Sequence, residues 1–272
     1  MLAALKDLLA HRELVAMLAW KGIAVRYKQA YLGLAWTVLK PLALMAIFVL
    51  LRAFVEIDSG HVPYPVLTYA ALVPWILLQE SAAEGVNSIV GNAHLIRKIY
   101  FPREIFPLTA VFGKLIEFAI NFVILLGMMA FFRIWPSAQA LWVPLLVLYV
   151  VVVALCIALA GAALNVYYRD VRSALPILLT MLMYASPVIY PLTVVQEKLL
   201  VRHAAGVWSE ALYVLYTLNP IAGIIDAFQR VLLKGLPPDP LSMWPGIVFT
   251  AIALPVSHRL FKRAEVHFAD VI

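Results

Sequence analysis

Lys114 and Glu117 stand one helical turn apart in a stretch, residues 105–132, that carries no other charge. At that spacing on a helix the two side chains can pair. A charge held in hydrocarbon points to ion or proton conduction by default. A helix over 105–132 is about 42 Å long, however, and the hydrocarbon slab only about 30 Å, so its first turns can stand among headgroups. A paired or snorkelling role fits better than an ion site. Glu80 and Glu84, at i and i+4, read as a solvated helix end. In "MLMYASPVIYPL" two tyrosines, Tyr184 and Tyr190, lie around Pro187 and Pro191 in an apolar segment. Their hydroxyls need partners at that depth. A water-filled passage supplies them, and flat rings suit the apolar faces of sugars. Packing against neighbouring helices accounts for them equally well.

Catalytic and cofactor motifs are missing. "FGKL" at 112–115 lacks the preceding glycine and the hydroxyl residue of a phosphate-binding loop, so ATP is not bound by that route. There is no H-E-x-x-H, no metal-spaced Cys/His set and no G-x-S-x-G. The six histidines, at 11, 61, 94, 203, 258 and 267, are scattered, and Cys156 is the single cysteine, so no intrachain disulfide forms. The expectation is no catalytic residue, no metal and no cofactor in this chain. An enzyme or a proton-coupled carrier wants more intramembrane acids than these.

The elements that must position these residues are membrane helices. Of 272 residues, 64% are apolar and 13% charged, about half the charged share of a soluble domain. Charges interrupt the N-terminus every few residues, so it does not read as a signal peptide. Runs of about 20 mostly apolar residues predict six spans, near 34–56, 60–80, 106–132, 141–166, 173–195 and 241–258. Residues 203–235 are apolar but broken at Asn219-Pro220 and charged at Asp226 and Arg230. Two half-helices that dip in and return fit them better than a seventh span. With six spans, 14 Lys+Arg lie on the side holding the termini and the loops 80–104 and 167–173, against 6 on the other. That bias places both termini in the cytoplasm. Residues 1–30 read as an amphipathic helix in the inner interface, its basic residues toward headgroups. It either anchors and orients the first span or forms a lateral gate where a lipid headgroup meets Arg26 and Lys28. Trp36, Trp75, Trp135, Trp142 and Trp244 sit near expected span ends, as an aromatic belt predicts. No internal repeat, linker or second domain is visible, and nothing points to nucleic acid.

Four stretches carry a resemblance. "WKGIAVRYKQAYLGLAWTVLKPL" (20–42), "LVPWILLQESAAEGVNSIVGNAHLIRKIYFPREIFPL" (72–108), "NVYYRDVRSALPILLTMLMYASPVIYPL" (165–192) and "LNPIAGIIDAFQRVLL" (218–233) occur in that order. Together they resemble the permease subunit of type-2 ABC exporters for lipid-linked polysaccharides, nearest to the O-antigen export permeases. Teichoic-acid and capsule exporters are more distant.

The resemblance implies an all-α integral membrane fold with six spans per subunit, working as a homodimer in the bacterial inner membrane. It implies two copies of a separate ATPase carrying ATP and Mg, and as substrate an undecaprenyl-diphosphate-linked glycan. A cytoplasmic coupling helix between spans two and three would seat in the ATPase through His94, Leu95, Ile96, Arg97, Lys98, Tyr100, Phe101 and Arg103, with Pro102 ending the helix. A short helix with an aromatic anchor and basic rim suits docking. A channel at the dimer axis, lined from the first and fifth spans, makes Trp36, Tyr184 and Tyr190 lining candidates. Arg26, Lys28, Arg169 and Arg172 are headgroup candidates, and re-entrant half-helices match 203–235. Besides a structural scaffold, which the prolines and intramembrane charges leave open, two rivals stand beside this reading. One is an exporter of another amphiphile, such as teichoic acid, capsule or a drug. The other is a membrane enzyme acting on lipid-linked sugars, for which Glu80, Glu84 and Asp170 are too sparse an acid/base set.

Overall fold

The computed structural model describes residues 35–54, 62–96, 102–201 and 207–268, and among these the chain is helical without strands. The helices are α1 (Ala35–Phe54), α2 (Tyr64–Gly91), α3 (Ala93–Ile96), α4 (Ile105–Gly113), α5 (Leu115–Phe131), α6 (Val143–Tyr167), α7 (Asp170–Tyr184), α8 (Leu192–Gln196), α9 (Val207–Thr217), α10 (Pro220–Gln229) and α11 (Pro240–Glu265). Five stretches are long and apolar enough to cross a membrane: α1, α2, α4 with α5, α6 with the 3₁₀ turn before it, and α11. The expected N-terminal interface helix, with Arg26 and Lys28, lies outside the described residues.

Two helix starts follow one local rule. Asn219 precedes Pro220, and its side-chain oxygen accepts from Ile221 N at 3.3 Å. Asp239 precedes Pro240 and accepts from Leu241 N at 3.1 Å. A short polar side chain caps the helix, and proline at the first position loses no hydrogen bond. Asn219 thereby ends α9 and starts α10 with a bend of 87°. α10 runs into a π-helical turn, Arg230–Lys234, which stops at Gly235 in the left-handed conformation, φ 64°. Every residue of α10 is buried.

The expected fifth span, 173–195, is not one continuous helix. α7 ends at Tyr184 after 15 residues, about 22 Å, short of the hydrocarbon thickness. The chain turns through residues 185–191 before α8. Pro187 biases Ser186 away from helical dihedrals, and Pro191 repeats the interruption.

α2 is the centre of the molecule, with 20 of its 28 residues buried. It runs to Gly91, well past the expected end near 80. Against it lies α6, and the two meet through small residues. A Cβ at Gly85 would clash with Ala158, and one at Gly161 with Val86. Asn165 Nδ2 donates to Val86 O at 3.1 Å across the same seam. In lipid no hydrophobic force favours helix over tail, so close packing of small residues and interhelical hydrogen bonds hold the pair. α10 joins the same core through Ile221, Ile224 and Phe228. A second, smaller cluster at one end of the bundle joins Ile89, Ile96, Phe106, Val166, Phe261 and Phe268.

Candidate functional site

Four charged side chains meet where α1, α2 and the α4–α5 junction converge. Lys114 is the residue at which α4 stops and α5 begins. Its Nζ lies 3.0 Å from Glu117 Oε1 and 3.4 Å from Glu80 Oε2. Lys40 of α1 pairs with the other Glu80 oxygen. The Lys114 side chain is only 5% exposed, so an unpaired ammonium there would carry a large desolvation cost. Asn121 extends the network: its Nδ2 donates to Glu117 O at 3.0 Å and its Oδ1 accepts from Tyr69 at 3.1 Å. The expected Lys114–Glu117 pair is present. Glu80 differs from expectation. It is no solvated helix end, because α2 continues for three further turns and the carboxylate bridges two lysines. The partial signal was Lys40, a lone lysine in an apolar segment that needs an acid, but which acid it meets is set by the tertiary packing.

The docking segment predicted at 94–103 lies at the end of the bundle that holds the smaller core cluster. His94, Leu95 and Ile96 form α3, which follows α2 after Asn92. Asn92 Nδ2 donates to Ser88 O at 2.8 Å, closing the end of α2. Ile96 is buried against Ile89, Phe106 and Phe261, which differs from its expected role as a contact to another chain. Arg97, Lys98, Tyr100 and Phe101 lie outside the described residues. Arg103 turns back onto the same chain. Its backbone N donates to Glu265 Oε1 at 3.3 Å, its guanidinium donates to Glu265 O, and it lies 5.9 Å from the centre of the Phe268 ring.

The expected lining residues sit on α1, at the end of α7 and in the turn that follows it. α1 is largely uncovered: Trp36 is 61% exposed, and Leu39, Ile47, Leu50 and Phe54 are exposed with it. α7 likewise exposes Ile177, Leu178, Met181 and Tyr184. Both helices pack on α2. Arg169 and Arg172 are exposed at the start of α7. Tyr190 is partly buried, and its hydroxyl lies 3.4 Å from Tyr184 O and 3.3 Å from the Tyr216 hydroxyl. That turn is pinned from two further sides. Tyr64 donates to Ile189 O at 2.7 Å, and Asn219 Nδ2 donates to Ser186 Oγ at 2.8 Å. Tyr184 and Tyr190 therefore share one short turn, with only Tyr184 widely open.

Trp75, expected in an interfacial belt, is fully buried in the middle of α2 and donates to Gln79 Oε1 at 3.1 Å. Hydropathy alone does not separate a belt tryptophan from a core one. Trp135, Trp142 and Trp244 are exposed.

The sequence matches a known family along most of the chain. The family model described as ABC-2 type transporter matches residues 13–233. The chain belongs to the ABC-2 type transporter family. It is similar to the "O-antigen export system permease protein RfbA" of Myxococcus xanthus, 26% identical over 273 residues that cover 100% of both chains. A protein of that same name from Klebsiella pneumoniae is 24% identical, over 96% of this chain and 95% of its own. The "Polysialic acid transport protein KpsM" of Escherichia coli is 22% identical over 92% and 93%. This ABC-2 chain is thus a multi-pass membrane transport permease and not an enzyme. Permeases of this type in ABC exporters work with a separate ATPase subunit.

Proposed function

We propose that this chain is the membrane subunit of an ATP-driven exporter of O antigen. It moves an undecaprenyl-diphosphate-linked polysaccharide from the cytoplasmic to the periplasmic side of the inner membrane. The observation that carries the reading is its colinear similarity, end to end, to a permease named for O-antigen export. Two copies pair about a channel, and two copies of a separate ATPase bind ATP and Mg. The uncovered faces of α1 and α7, with Trp36 and Tyr184, support a second subunit and a passage on that side. Residues 94–103 dock the ATPase, with Arg97, Lys98, Tyr100 and Phe101 as the contacts. The positive-charge bias supports cytoplasmic termini. The bent pair α9–α10 is re-entrant on the periplasmic side. Arg26, Lys28, Arg169 and Arg172 meet the diphosphate headgroup.

Deleting the chain in its own host and locating the glycan tests this. Full-length lipid-linked glycan should accumulate on the cytoplasmic leaflet while synthesis continues. Glycan that still crosses and changes only in length or decoration would refute export. The similarity to a polysialic acid transport protein favours a second reading, capsule polysaccharide as cargo. Loss of surface capsule with O antigen intact would select it.

A further inference from the structure

Glu104 is an acid at the start of a helix that does not cap it. It precedes α4 with helical dihedrals, φ −59° and ψ −22°, and makes no side-chain capping bond. Its side chain is buried, 7% exposed, and turned instead onto α11. His258 Nε2 lies 2.9 Å and Lys262 Nζ 3.1 Å from the same Glu104 oxygen. The distances are those of ion pairs, although neither contact is aligned as a hydrogen bond. His258 and Lys262 are at i and i+4, one face of one helix. Glu265, one turn further on, holds Lys262 Nζ at 2.9 Å. The same Glu265 receives Arg103 through its side chain and its backbone carbonyl. Adjacent residues 103 and 104 are thereby fastened to three successive turns of a helix more than 150 residues away. Phe261 and Phe268, edge to face at 5.5 Å, close the joint from below. Tyr167, at the end of α6, donates to Ala264 O at 3.2 Å and fixes the same stretch of α11 from another side.

At its far end α11 touches α10 backbone to backbone. A Cβ at Gly223 would run into Ser242 O, and one at Gly246 into Pro220 Cα. At both glycines the nearest atom is backbone, with the Tyr149 hydroxyl next at Gly246, 3.1 Å away. α11 is 26 residues long, about 39 Å along its axis, with Pro245 and Pro255 inside it.

We propose that Glu104, His258 and Lys262 are positioning residues that clamp the exit of the docking segment to α11, so that a push on that segment moves α11 and, through it, α10. The inference rests on the reading that residues 94–103 dock an ATPase. It makes the C-terminal helix a second output of the ATPase stroke beside the directly connected α4. Packed interfaces switch between discrete arrangements rather than deform continuously, and losing a cationic partner leaves an uncompensated charge at Glu104, whose side chain is only 7% exposed.

The test uses the whole complex, permease with its ATPase, reconstituted in lipid nanodiscs or vesicles with its lipid-linked glycan. Lys262→Glu sets like charges at the joint, and Glu104→Lys with Lys262→Glu restores opposite ones. The single change should leave ATPase binding unaltered and lower glycan exported per ATP at least about fivefold, and the reversal should recover most of it. A separate arm replaces Glu104 and His258 by cysteine, with Cys156→Ala, and bridges them with a short bifunctional thiol reagent. Bridged complex should export normally, because the joint stays closed throughout the cycle. Normal coupling in Lys262→Glu, or export blocked by the bridge, overturns the clamp. A wild-type complex that binds no ATPase or moves no glycan overturns the docking and export reading instead, and the two failures are distinct.

Discussion

Glu80 Oε2 accepts from Lys114 Nζ at 3.4 Å across 34 residues of sequence, joining the middle of α2 to the break between α4 and α5. With Lys40 on its other oxygen, the carboxylate is the point where three helices share charge. Removing it leaves two lysines facing each other, one of them almost fully buried. Glu80→Gln should therefore lower stability by about 2–3 kcal/mol, below the ~3–5 of a fully enclosed pair, because the Glu80 side chain is 29% exposed. Thermal unfolding in a fixed detergent measures it. Lys40→Met should cost less than Glu80→Gln, since Lys114 still counters both acids. Equal losses would show that the Lys40 contact carries as much as the buried one.

How far this site was legible in the sequence depends on what kind of signal each residue gives. The Lys114–Glu117 pair is a local spacing, and the bend at Asn219-Pro220 is local chemistry, so both are read directly. The long helices follow from hydropathy. Glu80 as a bridge, Trp75 in the core and Ile96 turned inward are tertiary facts. Nothing in their neighbours along the chain distinguishes an interface from an interior. The shortened α7 was half legible. Pro187 and Pro191 were visible, but apolar proline-containing helices occur in membranes when neighbours satisfy the freed groups. Here the turn is satisfied by Tyr64 and Asn219, from segments over 100 and 30 residues away.

The α2–α6 seam should tolerate no added volume. Gly85→Val drives a branched side chain into Ala158, and overpacking of this kind costs about 1–3 kcal/mol or more. Gly127 in α5 has nothing within 4 Å of where a Cβ would stand. Gly127→Ala should therefore be stabilising by about 0.5–1 kcal/mol through helix propensity alone. Opposite shifts in melting temperature confirm the seam. A destabilised Gly127→Ala would mean that a partner surface covers α5.

Asp226 is buried between α10 and α11, and the hydroxyl of Ser242 lies 3.2 Å from its Oδ2. The same hydroxyl lies 3.1 Å from Asp239 O. One proton serves one acceptor at a time. Ser242→Ala should cost about 1–3 kcal/mol, as a buried acceptor loses its donor. Asp226→Asn should soften that loss, because a neutral amide is cheaper to leave half-satisfied than a carboxylate. A double-mutant cycle reads the coupling, and additive losses would show that the two groups act independently.

Asn219 does two tasks with two atoms, and they can be separated. Its oxygen caps α10 through Ile221 N, and its amide nitrogen donates to Ser186 in the turn after α7. Asn219→Asp keeps the cap and loses the donor. Asn219→Ala loses both. The cap contributes about 1 kcal/mol, and the hydrogen bond to Ser186 a further ~1. Asn219→Asp should lower stability by about 1 kcal/mol and Asn219→Ala by about 2. Ser186→Ala also removes the bond its hydroxyl donates to Leu182 O at 2.6 Å, so it should cost at least as much as the aspartate variant, and the pair should fall short of additivity because the Asn219–Ser186 bond is lost only once. Full additivity of that pair would mean that the turn carrying Tyr184 and Tyr190 is held to the bend by Tyr216 alone.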